Sequence, residues 1–150
     1  ALVAYKPPPA FRDGAPNVGR LFVDPAAVEA DYARRTGIFP IMHLLGIRRE
    51  IAARDPRLCL RLCQAFEAAR RYAVARTDEA QAPFTSLPWA PDEAARSRRV
   101  LGDGFWSYGV AVNRPALEAL CRYSHAQGIA ARPVTVDELF VPATVDWLPS

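Results

Sequence analysis

Lysine is nearly absent from this chain. Lys6 is the only one in 150 residues, and arginine supplies the rest of the 19 basic side chains. The net charge is only +3, and the arginines are scattered among acids. The concentrated basic stripe of a nucleic-acid-binding protein is therefore missing. A coding sequence rich in G and C accounts for the arginine and alanine more simply. Long apolar runs are missing too. Nothing approaches the roughly 20 continuous apolar residues of a membrane helix, and the first residues lack the basic leader, apolar stretch and small-residue cleavage site of a secretory signal. Cysteine is scarce: Cys59, Cys63 and Cys121. An odd number, two of them one helical turn apart, makes neither a disulfide framework nor a tetrahedral zinc set. They read as small core residues in a reducing compartment, which makes the cytoplasm the default. A leader upstream of Ala1 would move the expectation to the periplasm. No carboxylate pair, glycine-rich phosphate loop, nucleophile elbow or metal cluster occurs, so neither metal nor cofactor is expected.

What is present begins with "ALVAYKPPPAF". Residues 1–5 read as a short buried strand at the very start of the chain. Complete domains seldom begin inside a strand, so the chain reads as the later part of something longer; a processed terminus would leave the same mark. Three successive prolines make the next segment extended, and "RDGAPN" is turn chemistry. Residues 18–22, "VGRLF", form a second strand candidate. Asp24 caps a helix with Pro25 at its first position and Gly37 at its end, with Val28 and Tyr32 facing inward. "TGIFPIMHLLGIRRE", residues 36–50, is a third strand candidate in which Pro40 demands an edge, a bulge or a beginning.

The clearest helix follows. Asp55 caps it, Pro56 opens it, and Leu58, Leu62, Phe66, Ala69 and Ala73 form its inner stripe. Arg57, Arg61, Arg70 and Arg71 fall largely off that stripe, on a solvated face. A proline-bearing loop leads to a helix over about residues 91–101, with Asp92 and Glu93 in its first turn, where the macrodipole favours anions. "GDGFWSYGV" is glycine-rich and aromatic. Asn113 caps a further helix whose Leu117, Leu120 and Cys121 face inward and which Gly128 closes. Thr135 and Glu138 form a capping box for a short helix stopped by Pro142. Strand, strand, helix, strand and then helices alone predict an α/β architecture.

"RLFVDPAAVEADYARRTGIFPIMHLLGIRREI", "LPW" and "GDGFWSYGVAVNRPALEALCRYSHAQGIAARPVTVDELFVPAT" together resemble the C-terminal part of 4,5-dihydroxyphthalate decarboxylase-like proteins. The likeness runs from Ala1 to about Thr144, and "RRTGIFPIMH" and "FWSYGVAVNR" are its most specific parts. It implies a partial type II periplasmic-binding-protein-like fold, α/β, with few strands and a helical C-terminal half. Residues 1–37 would end the second lobe. Residues 38–150 would hold a hinge strand and helices that pack on a first lobe. Lys6 stands where the resemblance leads one to expect arginine; it keeps the charge but not the planar fork.

Within that frame His43 is the candidate acid, since imidazole titrates near working pH with little tuning. A buried neutral histidine bonded to backbone is the competing reading. Lys6 and Arg48 are candidates for holding a substrate carboxylate, with Arg49 on the opposite face by alternation. Trp106 and Tyr108 would stack on an aromatic ring, or else anchor their loop in the core. His125 is a C-terminal charge complementing a helix dipole. The implied function is decarboxylation of a dihydroxylated aromatic dicarboxylate by ring protonation and CO2 loss. The alternative is a solute-binding protein that captures a small anionic or aromatic ligand without chemistry. The expected partner is that small molecule, with no nucleic acid and no membrane, and a homo-oligomer is left open. Taken alone, the chain is expected to expose apolar surface.

Overall fold

A computed structural model describes residues 2, 6–77 and 85–149. Of these, 58% are helical, and no strand or sheet occurs among them. The α/β expectation is thereby overturned. The first strand candidate lies almost wholly outside the described residues. The second, residues 18–22, is irregular, with Leu21 84% and Phe22 48% exposed. The third is also irregular: its chain leaves helix at Gly37 and re-enters one only at Arg49. A strand needs a neighbour for its ladder of N–H and C=O groups, and neither segment has one among the described residues. Apolarity gave the strand signal, but pairing decides.

Among the described residues, the eight helices, α1 (Pro9–Arg12), α2 (Pro25–Thr36), α3 (Arg49–Arg54), α4 (Pro56–Arg76), α5 (Ala90–Leu101), α6 (Val110–Ala126), α7 (Val136–Leu139) and α8 (Pro142–Val145), begin and end where local chemistry directs. The Asp24 carboxylate accepts from the Ala27 N–H, Pro25 occupies the first turn of α2, and Gly37 closes it at φ 66°. Asp55 accepts from the N–H groups of Arg57 and Leu58 to start α4. The Thr135–Glu138 capping box forms in both directions. Pro142 opens α8 rather than merely stopping α7, because its ring suits a first helical position.

Two helix readings need adjustment. The inner stripe of α4 is wider at its start and offset by one residue further on. Cys59 and Glu67 are buried, and Leu58, Leu62, Cys63, Arg70 and Val74 are partly so, whereas Phe66 is 44% exposed and Ala69 and Ala73 face out. The spacing and the first two positions were right, and the phase from Phe66 on was not. Similarly, α6 starts at Val110, not at Asn113. The order Asn113, Arg114, Pro115 imitates a cap with proline in the first turn, but the proline lies inside the helix. On α2, Tyr32 is partly buried and Val28 is exposed.

The core is small. Val110, Leu117 and Val136 are buried together, with Ile41, Cys121, Phe140 and Val145 packed around them. It joins α6, α7 and α8, and α8 also packs on α4, while α5 lies on α2. Cys59, Phe105 and Ala119 complete the buried apolar residues among those described. The expected exposed apolar surface is present in quantity, including Phe39, Met42, Leu44 and Leu45 along residues 37–48. No described helix is long and apolar enough to cross a membrane.

Leu117 is 3% exposed and Leu120 51%, although both were assigned inward. Leu117→Ala should cost about 3 kcal/mol by lost burial and cavity formation, and Leu120→Ala less than about 1 kcal/mol. Urea unfolding of the two variants measures both. Equal losses would mean that this face of α6 is wrongly assigned.

Candidate functional site

The aromatic loop between α5 and α6, residues 102–109, is held from three sides. From α4, the Glu67 carboxylate receives two hydrogen bonds from Arg70, Nε at 2.8 Å and Nη2 at 2.6 Å. Residues three apart on a helix face each other, which allows this bidentate fork. The remaining terminal nitrogen, Nη1, donates to the Phe105 carbonyl at 3.2 Å. Both side chains are withdrawn from water, Glu67 to 5% and Arg70 to 14% exposure. From α5, the Arg98 guanidinium lies over the Phe105 ring, 5.5 Å from its centre. From α6, Asn113 Nδ2 donates to the carbonyls of Ser107 and Gly109 at 2.8 and 2.9 Å. Asn113 is therefore a donor that closes the loop, not an acceptor that caps the helix.

Between these pins the backbone is strained. Trp106 has φ 58°, the only positive φ of a non-glycine residue among those described. The left-handed region costs such a residue about 1 kcal/mol or more, and it persists only where surroundings enforce it. At Gly109, φ is 104°, and a Cβ there would stand 3.2 Å from the Trp147 carbonyl oxygen and 3.3 Å from its ring. Only glycine satisfies both conditions.

The loop presents two aromatic side chains. Trp106 meets Phe39 edge to face at 5.4 Å, and Tyr108 meets Phe66 of α4 at 6.3 Å. Trp106 is 50% exposed and Tyr108 42%. They are neither free platforms nor core anchors. Each packs against one neighbouring ring and stays partly exposed. An open hollow of about 500 Å³ adjoins the loop at Gly104 and Ser107, with Glu67 and Arg70 also in its lining and neither Trp106 nor Tyr108.

The other predicted residues lie differently. His43 is exposed in the irregular segment 37–48, so the buried neutral histidine is not what occurs. Its segment nonetheless reaches the loop, since Phe39 touches Trp106 and Ile41 packs on the core beneath α6. Lys6 is exposed, and exposed Arg48 precedes α3, its carbonyl accepting from Ile51 and Ala52. No hydrogen bond or ion pair among the described residues ties Lys6, Arg48 or His43 to the loop. His125 Nδ1 lies 3.3 Å from the Ala130 carbonyl at the end of α6, which agrees with a helix-terminus role. No group of three metal-ligating side chains occurs among the described residues.

Sequence reasoning passed over Glu67 and Arg70, assigning Arg70 to the solvated face. A signal was available. Glu67 stands alone as an acid within "CQAFEAARR", and a carboxylate on a buried stripe demands a partner one turn away.

No family model matches the chain. It is similar to the 4,5-dihydroxyphthalate decarboxylase of Comamonas testosteroni, with 35% identity over 145 residues and 97% of this chain. By sequence, the likeness is to a decarboxylase. The chain spans 44% of that relative, less than half its length. Both motifs that carry the resemblance fall inside the matched region, and they are the two segments that Phe39 and Trp106 bring into contact.

Hydrogen bonding to Arg70, followed by its charge and that of Arg71, holds the Glu67 carboxyl below the usual glutamate range against the opposing effect of burial. A depressed carboxyl stabilises the fold above its unfolded value, about pH 4.3, and that contribution drains as pH falls through the folded value. The melting temperature should thus be level from pH 7 to about 5 and decline below. Asp55 and Glu138, also depressed by arginine and backbone donors, add to the decline. Glu67→Gln should lower neutral-pH stability by about 2 kcal/mol and flatten the acid decline without abolishing it. Superimposable melting profiles from pH 3 to 7 would refute this.

Proposed function

We propose that this chain forms part of a decarboxylase-like protein that acts on a dihydroxylated aromatic dicarboxylate. The observation that carries the reading is the 35% identity along 97% of the chain to a protein named for that reaction. The geometry supports it: half-open aromatic side chains, Trp106 and Tyr108, suit a flat ring, and the segment bearing His43 abuts Trp106 through Phe39.

The chemistry follows from the substrate. Ring hydroxyls enrich the ring carbon that bears the departing carboxylate. His43, as imidazolium, gives its proton to that carbon. The electron pair of the carbon–carboxylate bond then returns to the ring as CO2 leaves, and aromaticity is restored. Lys6 or Arg48 holds the second carboxylate, while Trp106 and Tyr108 stack on or bond the ring. Three free thiols fit a reducing compartment, the cytoplasm. Capture of the same ligand without chemistry is the second reading, favoured by the absence of any hydrogen bond orienting the His43 ring among the described residues.

Release of CO2 from 4,5-dihydroxyphthalate, measured on the protein expressed within its complete reading frame, separates the two. His43→Ala should lower kcat by about a hundredfold or more, and Trp106→Ala should raise KM by about threefold to tenfold. Undiminished turnover by His43→Ala would remove the acid assignment. Binding without CO2 release would leave the capture reading.

A further inference from the structure

The Trp106 backbone is the strained point of the described chain, and its immediate neighbour Phe105 is where α4 takes hold. Arg70 reaches the Phe105 carbonyl across 35 residues of sequence with the one terminal nitrogen that Glu67 does not occupy. The arginine is thereby fixed at both ends: the carboxylate sets its fork, and the fork sets the carbonyl. A lone lysine could not do this, because an ammonium is a point charge without a fixed plane. Phe105 itself is buried beneath Arg98, so its peptide cannot rotate to relieve Trp106. On the far side Asn113 holds Ser107. Strain held by surrounding contacts is the signature of a residue whose direction matters.

We infer that Glu67 and Arg70 are a positioning pair that fixes the left-handed backbone at Trp106 and so determines how its indole meets an aromatic dicarboxylate. Both also line the open hollow at the loop, and the role inferred for them acts through the Phe105 carbonyl. This deepens the proposed function and rests on it for the ligand class, whereas the effect of the pair on Trp106 stands without it.

The experiment uses the protein expressed within its complete reading frame and labelled with 5-fluorotryptophan, the resonances of Trp89, Trp106 and Trp147 identified by Trp89→Phe, Trp106→Phe and Trp147→Phe. The probe is phthalate, an aromatic dicarboxylate without the reactive hydroxyls. Arg70→Met should move or broaden the Trp106 fluorine resonance in the ligand-free protein, leave that of Trp89 in place, and weaken phthalate by about tenfold, since misplacement by about an ångström is enough for losses up to about a hundredfold. Arg70→Lys should restore part of both effects. Glu67→Gln, which preserves shape, gives the same direction if Arg70→Met fails to fold. Arg57→Ala, which removes an exposed arginine from the same helix, serves as the control. A pair that only stabilised the fold would lower the melting temperature and leave the Trp106 resonance and phthalate affinity of the folded protein as they were, and that result overturns the inference. Failure of phthalate to move the wild-type resonance refutes the ligand class alone, because the ligand-free spectra of the variants still decide the positioning role.

Discussion

The ion pair between Glu67 and Arg70 is the constraint on which the candidate site depends. A charged pair this far from water is a poor source of net stability, since desolvation offsets most of its attraction. Its value lies in direction. A hydrophobic pair in the same place would pack as well, but it could not hold a carbonyl 35 residues away. Removing one member would strand the other, so the two residues are tied together energetically even though α4 would form without them. Its cap at Asp55 and its cysteine-lined stripe suffice for the helix.

Polar pinning is needed because apolar burial is scarce. The cluster of Val110, Leu117 and Val136 sits under the start of α6 and stops short of the loop. Phe105 is the only residue of residues 102–109 to be buried. Without a core to rest on, the loop owes its shape to Arg70, Arg98 and Asn113, each acting on main chain or on the Phe105 ring. This division leaves the side chains of Trp106 and Tyr108 open on one side while their backbone is fixed, the combination that a preorganised binding surface requires.

The sequence was most legible where chemistry is local. Caps at Asp24, Asp55 and Thr135 depend on atoms within three or four residues, and all three form. The stripe of α4 was legible in period and at Leu58 and Leu62, but from Phe66 on the inward positions are Glu67, Arg70 and Val74, a choice made by what packs against the helix and not by composition. The segments 18–22 and 36–50 have strand-like composition, yet their structure depends on a partner that composition does not name. Asn113 misled for a related reason: the residue type fits a cap, but Gly109 enters the helix earlier and the amide turns back as a donor. Arg70 was assigned to solvent because the sequence does not reveal that the Phe105 carbonyl stands within reach.

The likeness to the decarboxylase and the geometry of the loop bear on each other through one contact. Phe39 and Trp106 belong to the two motifs on which the resemblance is most specific, and their rings meet edge to face at 5.4 Å. Beside that contact the indole stays half exposed, and an exposed aromatic surface is what a flat ring can pack on. The same contact sets the approach of segment 37–48, because Ile41, two residues past Phe39, is fixed in the core. His43 follows Ile41 by another two. It is thus carried by a segment anchored at Phe39 and Ile41. Among the described residues the ring-on-ring contacts of this site are Phe39 on Trp106 and Phe66 on Tyr108, and no contact there involves the Lys6 or Arg48 side chain.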